Sequence, residues 1–152
     1  MIARCAEVLA QDDAAAATTP VELLLGDIQD AEIRNASMVV MNYTLQFLPI
    51  EDREHMLQTI CDGLNPGGLL LFSEKVVDED PHMEALLVEL HHEHKRRNAY
   101  SELEISRKRA ALENVLVPET VDQHCDRLLH AGFTSAAVWL RYFNFVSIIA
   151  IR

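Results

Sequence analysis

Leu64-Asn65-Pro66-Gly67-Gly68-Leu69-Leu70-Leu71-Phe72 is the stretch that decides the fold. Apolar residues at helical spacing predict a helix over residues 50–64, and the Asn-Pro-Gly-Gly turn stops it. The unbroken apolar run after the turn, residues 69–72, fits a strand that is buried on both faces. The stretch therefore predicts a helix–turn–strand unit of an α/β fold.

Two apolar runs precede this unit and are predicted as buried parallel strands. The first, residues 21–25, ends in Gly26-Asp27, and the second, residues 37–41, ends at Asn42. Together with the helix–turn–strand unit they give the strand, strand, helix, strand order of a mostly parallel sheet.

The second half of the chain is predicted to add helices and an edge pair. A polar, helix-rich block occupies residues 81–115, and Ser101-Glu102-Leu103-Glu104 forms a capping box inside it. A further helix is predicted over residues 118–131. Two strands then follow, at residues 136–140 and 145–151, close enough in sequence to pair antiparallel at the sheet edge.

The composition narrows the class of protein. The chain has 152 residues, 49% of them hydrophobic, which fits one compact domain over residues 1–152. Its 13 basic and 24 acidic side chains give a formal net charge of -11, which repels phosphate backbones, so direct nucleic-acid binding is not expected. Three scattered cysteines and the lack of a signal peptide indicate reduced thiols in the cytoplasm. No apolar run approaches the roughly 20 residues that span a bilayer.

Polar residues follow the predicted parallel strands, where ligands bind in open α/β sheets. Asp27 can accept a hydrogen bond from an adenine amino group, the Ile28 amide can donate to a ring nitrogen, and Asn42 offers both a donor and an acceptor. Position alone equally allows Asp27 to form a turn and Asn42 to end a strand. Glu74 and Lys75 follow the third strand and fit either an ion pair or a pocket lining, so no role is assigned to them.

His91, His92 and His94 raise the question of a metal site. His91 and His94 are three residues apart and share a helix face, but no third ligand stands at a diagnostic spacing. A solvated or interface helix is the favoured interpretation, and no metal is predicted.

Several of these segments, taken together, resemble the second half of a class I S-adenosylmethionine-dependent methyltransferase domain. The segments are Gly26-Asp27-Ile28, residues 35–48, residues 63–68 and Ser73-Glu74-Lys75. The fold class predicted for the chain is therefore the C-terminal part of a Rossmann-like methyltransferase fold, with an antiparallel edge pair and residues 81–115 as a helical insertion.

Residues 100–109, with Leu112-Glu113-Asn114-Val115, carry a more specific resemblance. They are similar to the carboxy-S-adenosylmethionine synthases of bacterial wobble-uridine modification. The likeness continues through residues 130–133, Trp139 and residues 143–145, so it covers nearly the whole chain.

The resemblance implies an activity and a set of contacts. Such enzymes convert S-adenosylmethionine and prephenate to carboxy-S-adenosylmethionine and phenylpyruvate, without metal and without gripping tRNA. It implies that Asp27 and Ile28 bind the adenine, that Asn42 lies close to the cofactor, and that Arg109 holds the transferred carboxylate. It also implies that the helical insertion helps to cover the active site and contributes to a homodimer.

The chain departs from the family's pattern at its beginning. The family's Gly-rich loop, its ribose-binding acidic residue and an upstream tyrosine precede anything present here, and residues 1–9 read as the middle of an amphipathic helix. A truncated chain and a short native helix both explain that start. We expect the isolated chain to bind the cofactor poorly and to leave a sheet edge exposed. An ordinary methyltransferase and an inactive fragment remain the alternatives.

Overall fold

The computed structural model describes residues 2–11, 20–112 and 115–152, and the chain divides into two compact units, Met1–Glu32 and Ile33–Arg152. The first unit contains helix α1 (Ile2–Gln11) and a 3₁₀ turn, η1 (Ile28–Asp30). The prediction of a single domain over residues 1–152 stays a prediction.

The second unit holds a four-stranded sheet and its helices. Its elements in chain order are β1 (Ala36–Asn42), the 3₁₀ turn η2 (Leu45–Phe47), α2 (Ile50–Gly63), β2 (Leu64–Lys75), α3 (Pro81–Arg97), α4 (Glu102–Leu112), α5 (Val121–His130), β3 (Ser135–Tyr142) and β4 (Phe145–Ile151). No helix within the described ranges combines the length and the apolar composition that a bilayer crossing requires.

The sheet has the strand order β1-β2-β4-β3. β1 and β2 run parallel, whereas β4 runs antiparallel to both β2 and β3. The predicted antiparallel pair is confirmed, and the α/β class with it. The described strands form a mixed sheet rather than a mostly parallel one, because only one of their three pairings is parallel.

The strand predicted at residues 21–25 is wrong. The structure describes this segment without regular secondary structure, and Leu24 and Leu25 are 73% and 89% exposed. A strand is stable only when a neighbouring strand satisfies its backbone hydrogen bonds. Residues 21–25 pair with no strand in the described part of the chain, so their apolar side chains alone do not make one.

Capping side chains determine where two of the helices begin. The hydroxyl of Thr120 accepts from the amide of Gln123 at 3.2 Å, and the Gln123 side chain accepts from the amide of Thr120 at 2.9 Å, so α5 begins after Thr120 and not at the predicted Pro118. The capping box predicted before α4 is confirmed, since the Ser101 amide donates to Glu104 at 2.8 Å.

The core lies between α2, α5 and one face of the sheet. Phe72 of β2 and Ile148 of β4 are fully buried on this face, together with Leu57 of α2 and Leu128 of α5. Hydrophobic burial of this kind is the main stabilising term of a domain of this size. Val40 of β1 lies on the opposite face of the sheet and is 54% exposed, so α2 and α5 leave that side of β1 uncovered.

Candidate functional site

The carboxyl ends of β1 and β2 bring two predicted positions together. Asn42, the last residue of β1, is the register partner of Ser73 in the parallel ladder. The Asn42 side chain is exposed, and the backbone carbonyl of Asn42 accepts from the Thr44 hydroxyl at 2.9 Å. The amide of Tyr43 then donates to the carbonyl of Ser73 at 2.7 Å. Parallel-strand geometry therefore places Asn42 at the sheet edge where ligands of this fold class bind.

Glu74 holds the turn that follows Asn42. One carboxylate oxygen, Oε1, accepts from the backbone amides of Thr44 at 3.0 Å and Leu45 at 2.9 Å. The preceding residue, Tyr43, has φ 53°, a left-handed conformation that is unfavourable for a large side chain. The hydrogen bonds to Glu74 stabilise this turn and with it the orientation of Asn42.

The Glu74 carboxyl group is wholly buried. Burial raises its pKa to about 7, although the amides of Thr44 and Leu45 and the charge of Arg53 act in the opposite direction. Its second oxygen, Oε2, has no hydrogen-bond partner among the described residues. The sequence left Glu74 without a role because its burial depends on contacts with residues 29 and 30 positions away.

Asp27 and Ile28 lie in the first unit and form one small arrangement. Asp27 caps the turn η1, because its Oδ1 accepts from the amide of Gln29 at 3.0 Å. Within the described ranges, the amide of Ile28 has no hydrogen-bond partner. An acceptor and a donor therefore stand on adjacent residues, the pair that the edge of an adenine ring requires. Asp27 is a turn former and still fits the predicted adenine contact.

Arg109 lies in the last turn of α4 and is exposed. Its side chain takes part in no ion pair or hydrogen bond with the described residues. Burial, followed by the charge of Lys95 and by the smaller effect of Arg109, lowers the pKa of His92. A guanidinium matches a carboxylate group, which it can bind through two parallel hydrogen bonds.

The histidines of α3 pack against the turn between β3 and β4. The His91 ring meets Phe145 edge-on at 5.0 Å and stacks on Phe143 at 6.1 Å. The hydroxyl of Tyr142 lies 3.2 Å from Nδ1 of His94. Burial, followed by the charge of Lys95, lowers the pKa of His91 to about 4, so the ring is neutral at physiological pH. No group of three metal-ligating side chains occurs among the described residues, and the prediction of no metal remains a prediction.

A buried ion-pair network, which the sequence patterns do not indicate, stabilises the segment next to the candidate site. Arg53 of α2, 0% exposed, pairs with Glu119. Its guanidinium also donates to the carbonyls of Leu48 at 3.1 Å and Gln46 at 3.2 Å. Arg127 of α5 grips the same Glu119 through two hydrogen bonds of 2.7 and 2.5 Å. The network fixes the segment that follows the Glu74-bound turn.

Comparison with known sequences gives one consistent result. No protein-family profile matches the chain. Over all 152 residues it is 52% identical to the curated carboxy-S-adenosyl-L-methionine synthase of Shewanella oneidensis and 52% identical to that of Shewanella baltica. The chain spans 61% of the length of each. The resemblance predicted from the sequence is confirmed over the whole chain.

Solved structures show the fold. PigF with S-adenosylhomocysteine matches with a TM-score of 0.65 and 16% identity, over 99% of this chain and 40% of that one. Human N-acetylserotonin methyltransferase in complex with S-adenosylmethionine matches with a TM-score of 0.58 and 19% identity, over 91% of this chain and 36% of that one. The chain therefore has the fold of class I S-adenosylmethionine-dependent methyltransferases, and the predicted fold class is confirmed.

Proposed function

We propose that this chain, which resembles the carboxy-S-adenosylmethionine synthases from end to end, is the C-terminal part of such an enzyme. The observation that carries the proposal is the 52% identity over all 152 residues, which includes the segments around the adenine, cofactor and carboxylate positions. The whole enzyme would be a cytoplasmic transferase, a homodimer, and a supplier of carboxy-S-adenosylmethionine for tRNA wobble-uridine modification.

The proposed reaction joins S-adenosylmethionine and prephenate. The ring carboxyl group of prephenate leaves its carbon, hydroxide leaves the opposite ring carbon, and the ring becomes aromatic as phenylpyruvate. A new carbon–carbon bond forms between that carboxyl carbon and the sulfonium methyl group, which loses a proton. The proton and the hydroxide combine as water, so atoms and charges balance.

The chain's own residues would bind and orient the reactants. Asp27 accepts from the adenine amino group while the amide of Ile28 donates to the ring, and S-adenosylmethionine supplies the sulfonium methyl group. Asn42 contacts the same ligand at the end of β1, where Glu74 keeps its turn in place. These residues position the ligand, and positioning alone supplies a large share of catalysis in reactions of this kind.

Arg109 would allow the enzyme to discriminate between carboxy-S-adenosylmethionine and S-adenosylmethionine. A guanidinium fork matches the two oxygens of a carboxylate, and a lysine ammonium cannot copy that geometry. The side chain of Arg109 is exposed and takes part in no ion pair with the described residues.

The decisive experiment uses the complete enzyme, in which this sequence follows its cofactor-binding N-terminal part. The enzyme is incubated with S-adenosylmethionine and prephenate, and products are measured by mass spectrometry. We expect carboxy-S-adenosylmethionine from the wild type and roughly a hundredfold less from Arg109→Ala, the effect of losing a paired charge. Arg107→Ala, which removes an equal charge from the same helix, should stay within about twofold of the wild type.

Other outcomes separate the alternatives. Methylation of a small molecule or of tRNA without any carboxylated product would identify an ordinary methyltransferase. Carboxylated product formed equally well by Arg109→Ala would leave the enzyme in place and remove the role of Arg109. A complete protein that binds neither reactant would be the inactive alternative.

A further inference from the structure

The three lysines of the chain are Lys75, Lys95 and Lys108. They lie on three different elements, β2, α3 and α4. In the described part of the chain none of their ammonium groups forms an ion pair or a hydrogen bond. The neighbouring Arg96, in contrast, pairs with Glu89, Glu93 and Glu102. Among the described residues, the three lysines therefore differ from Arg96, although the chain has 24 acidic residues.

The fold brings these lysines to one place. Lys75 is the register partner of Phe145, whose ring contacts His91 at 5.0 Å. Lys95 follows His91 by one helical turn on the same face of α3. Burial lowers the pKa of Lys95, and the charges of Lys108 and Lys75 lower it further. Lys95 therefore lies within electrostatic range of both other lysines, and the ion pair of Arg96 with Glu102, at 2.6 Å, joins its helix to the helix that carries Lys108.

Lysine ammonium groups that lie close together repel one another unless an anion binds among them. Repulsion between the ammonium groups is relieved, and their unused hydrogen-bond donors are satisfied, when a carboxylate binds among them. Half-buried Lys95 gains most, because an ion pair is screened less there than at a fully exposed position. The arrangement is typical of a binding site for an organic anion.

Aromatic rings stand beside the lysines. Phe145 contacts both His91 and, edge-on at 5.7 Å, Tyr43, which follows Asn42. Phe143 stacks on His91 at 6.1 Å. The cluster therefore offers a ring-lined wall next to positive charge at the carboxyl end of the sheet, a combination that fits an anion carrying a six-membered ring.

We propose that Lys75, Lys95 and Lys108 form a carboxylate subsite, with His91 and Phe145 as its ring-lined wall, for a cyclic dicarboxylate co-substrate. This inference rests on the proposed function, in which the co-substrate is prephenate. The subsite holds the pyruvyl carboxylate, which is not transferred and which phenylpyruvate keeps.

RNA phosphates are the other anions that lysines bind. The net charge of -11 disfavours a long polyanion, whereas a small dicarboxylate needs only the local cluster. The ring-lined wall is formed by side chains that pack on one another, so it suits one ring better than a row of stacked bases. The observations therefore favour the small dicarboxylate, and RNA becomes an outcome of the test.

The experiment measures steady-state kinetics of the complete enzyme with Lys95→Gln, Lys108→Gln and Lys95→Arg. We expect the KM for prephenate to rise about tenfold to a hundredfold in each Gln variant, the effect of losing a charged hydrogen bond. The KM for S-adenosylmethionine should stay within about twofold, and Lys95→Arg should recover most of the affinity. Arg97→Gln is the matched control, since it removes a charge two residues away that already pairs with Glu93.

A second measurement separates this inference from the proposed function. Prephenate, phenylpyruvate and a short RNA are titrated into the wild type and the Gln variants by calorimetry, with circular dichroism as the check on folding. Weaker binding of prephenate and phenylpyruvate by Lys95→Gln supports the subsite even if no carboxylated product forms. An unchanged KM and unchanged binding of both acids in the folded Gln variants overturn it, as does a loss confined to RNA.

Discussion

The buried carboxylate of Glu74, near the end of β2, accepts a 2.9 Å hydrogen bond from the amide of Leu45, in the turn after β1. The same oxygen accepts from the amide of Thr44 at 3.0 Å. The bonds join two neighbouring strands at the edge where the cofactor contact of Asn42 is proposed. A change in the charge of Glu74 therefore changes the strength of the hydrogen bonds that hold that turn.

Glu74→Gln tests this relationship through its pH dependence. Burial raises the pKa of Glu74 from 4.5 to about 7, so the folded state binds the proton more tightly than the unfolded state does. The resulting stability is fully present below pH 4.5 and is lost as the pH rises to 7. Between these limits the wild type should lose about 3 kcal/mol relative to the Gln variant, which keeps a side-chain oxygen as acceptor but does not titrate.

Urea denaturation of both proteins between pH 4 and pH 8 measures the difference. Because the two proteins share every other titrating group, those contributions cancel in the comparison. Parallel stability curves for the wild type and Glu74→Gln would contradict the prediction.

His124 should have the opposite pH dependence. Burial lowers its pKa from 6.5 to about 4, so the unfolded state binds the proton more tightly. Its contribution to stability is present above pH 6.5 and is lost as the pH falls to 4. His124→Leu should therefore gain up to about 3 kcal/mol over the wild type across that range. Thermal unfolding at pH 7 and pH 4.5 checks this, with the exposed His130→Leu of the same helix as the control; a constant difference between His124→Leu and the wild type would contradict it.

Local patterns predicted the elements whose partners lie nearby in the sequence. The pairing of Tyr142 with Phe145, at the tight turn of the antiparallel pair, and the capping box at Ser101 involve residues three apart. The apolar run at residues 21–25 resembled a buried strand equally well, yet no strand in the described part of the chain pairs with it. An apolar run reports the tendency to be buried, and burial in a sheet depends on distant residues.

The candidate site shows the same difference between local patterns, which the sequence reveals, and contacts between distant residues, which it does not. The sequence pattern put Asn42 at the end of a parallel strand, where the structure has it beside Ser73, and its contact with a cofactor stays a prediction. The buried pair of Arg53 and Glu119 joins residues 66 positions apart, and neither residue type nor spacing indicates it. Charged residues are seldom buried, so sequence patterns place both on the surface by default.

Arg53→Met should destabilise the fold strongly. Arg53 is fully buried, pairs with Glu119 and donates to the carbonyls of Gln46 and Leu48. Its removal leaves buried acceptors without partners, which should lower the free energy of unfolding by about 3–5 kcal/mol. Arg97→Met removes an exposed ion pair with Glu93 and should cost about 0–1 kcal/mol. Urea denaturation compares the two variants, and equal losses would show that burial of the network adds nothing.

Because one face of β1 exposes apolar side chains, we expect the isolated 152-residue chain to self-associate. Met38 and Val40, alternate residues on this strand, are 55% and 54% exposed, and among the described strands β1 pairs with β2 alone. Exposed apolar side chains on an edge strand favour contact with other copies. Val40→Lys should weaken that association roughly tenfold, since burial of one valine contributes about this factor. Light scattering over a range of concentrations measures it, and Leu129→Lys, at 48% exposed on α5, is the matched control. If the wild type is monomeric, or if Val40→Lys and Leu129→Lys weaken the association equally, this face of β1 is not the surface through which the chains associate.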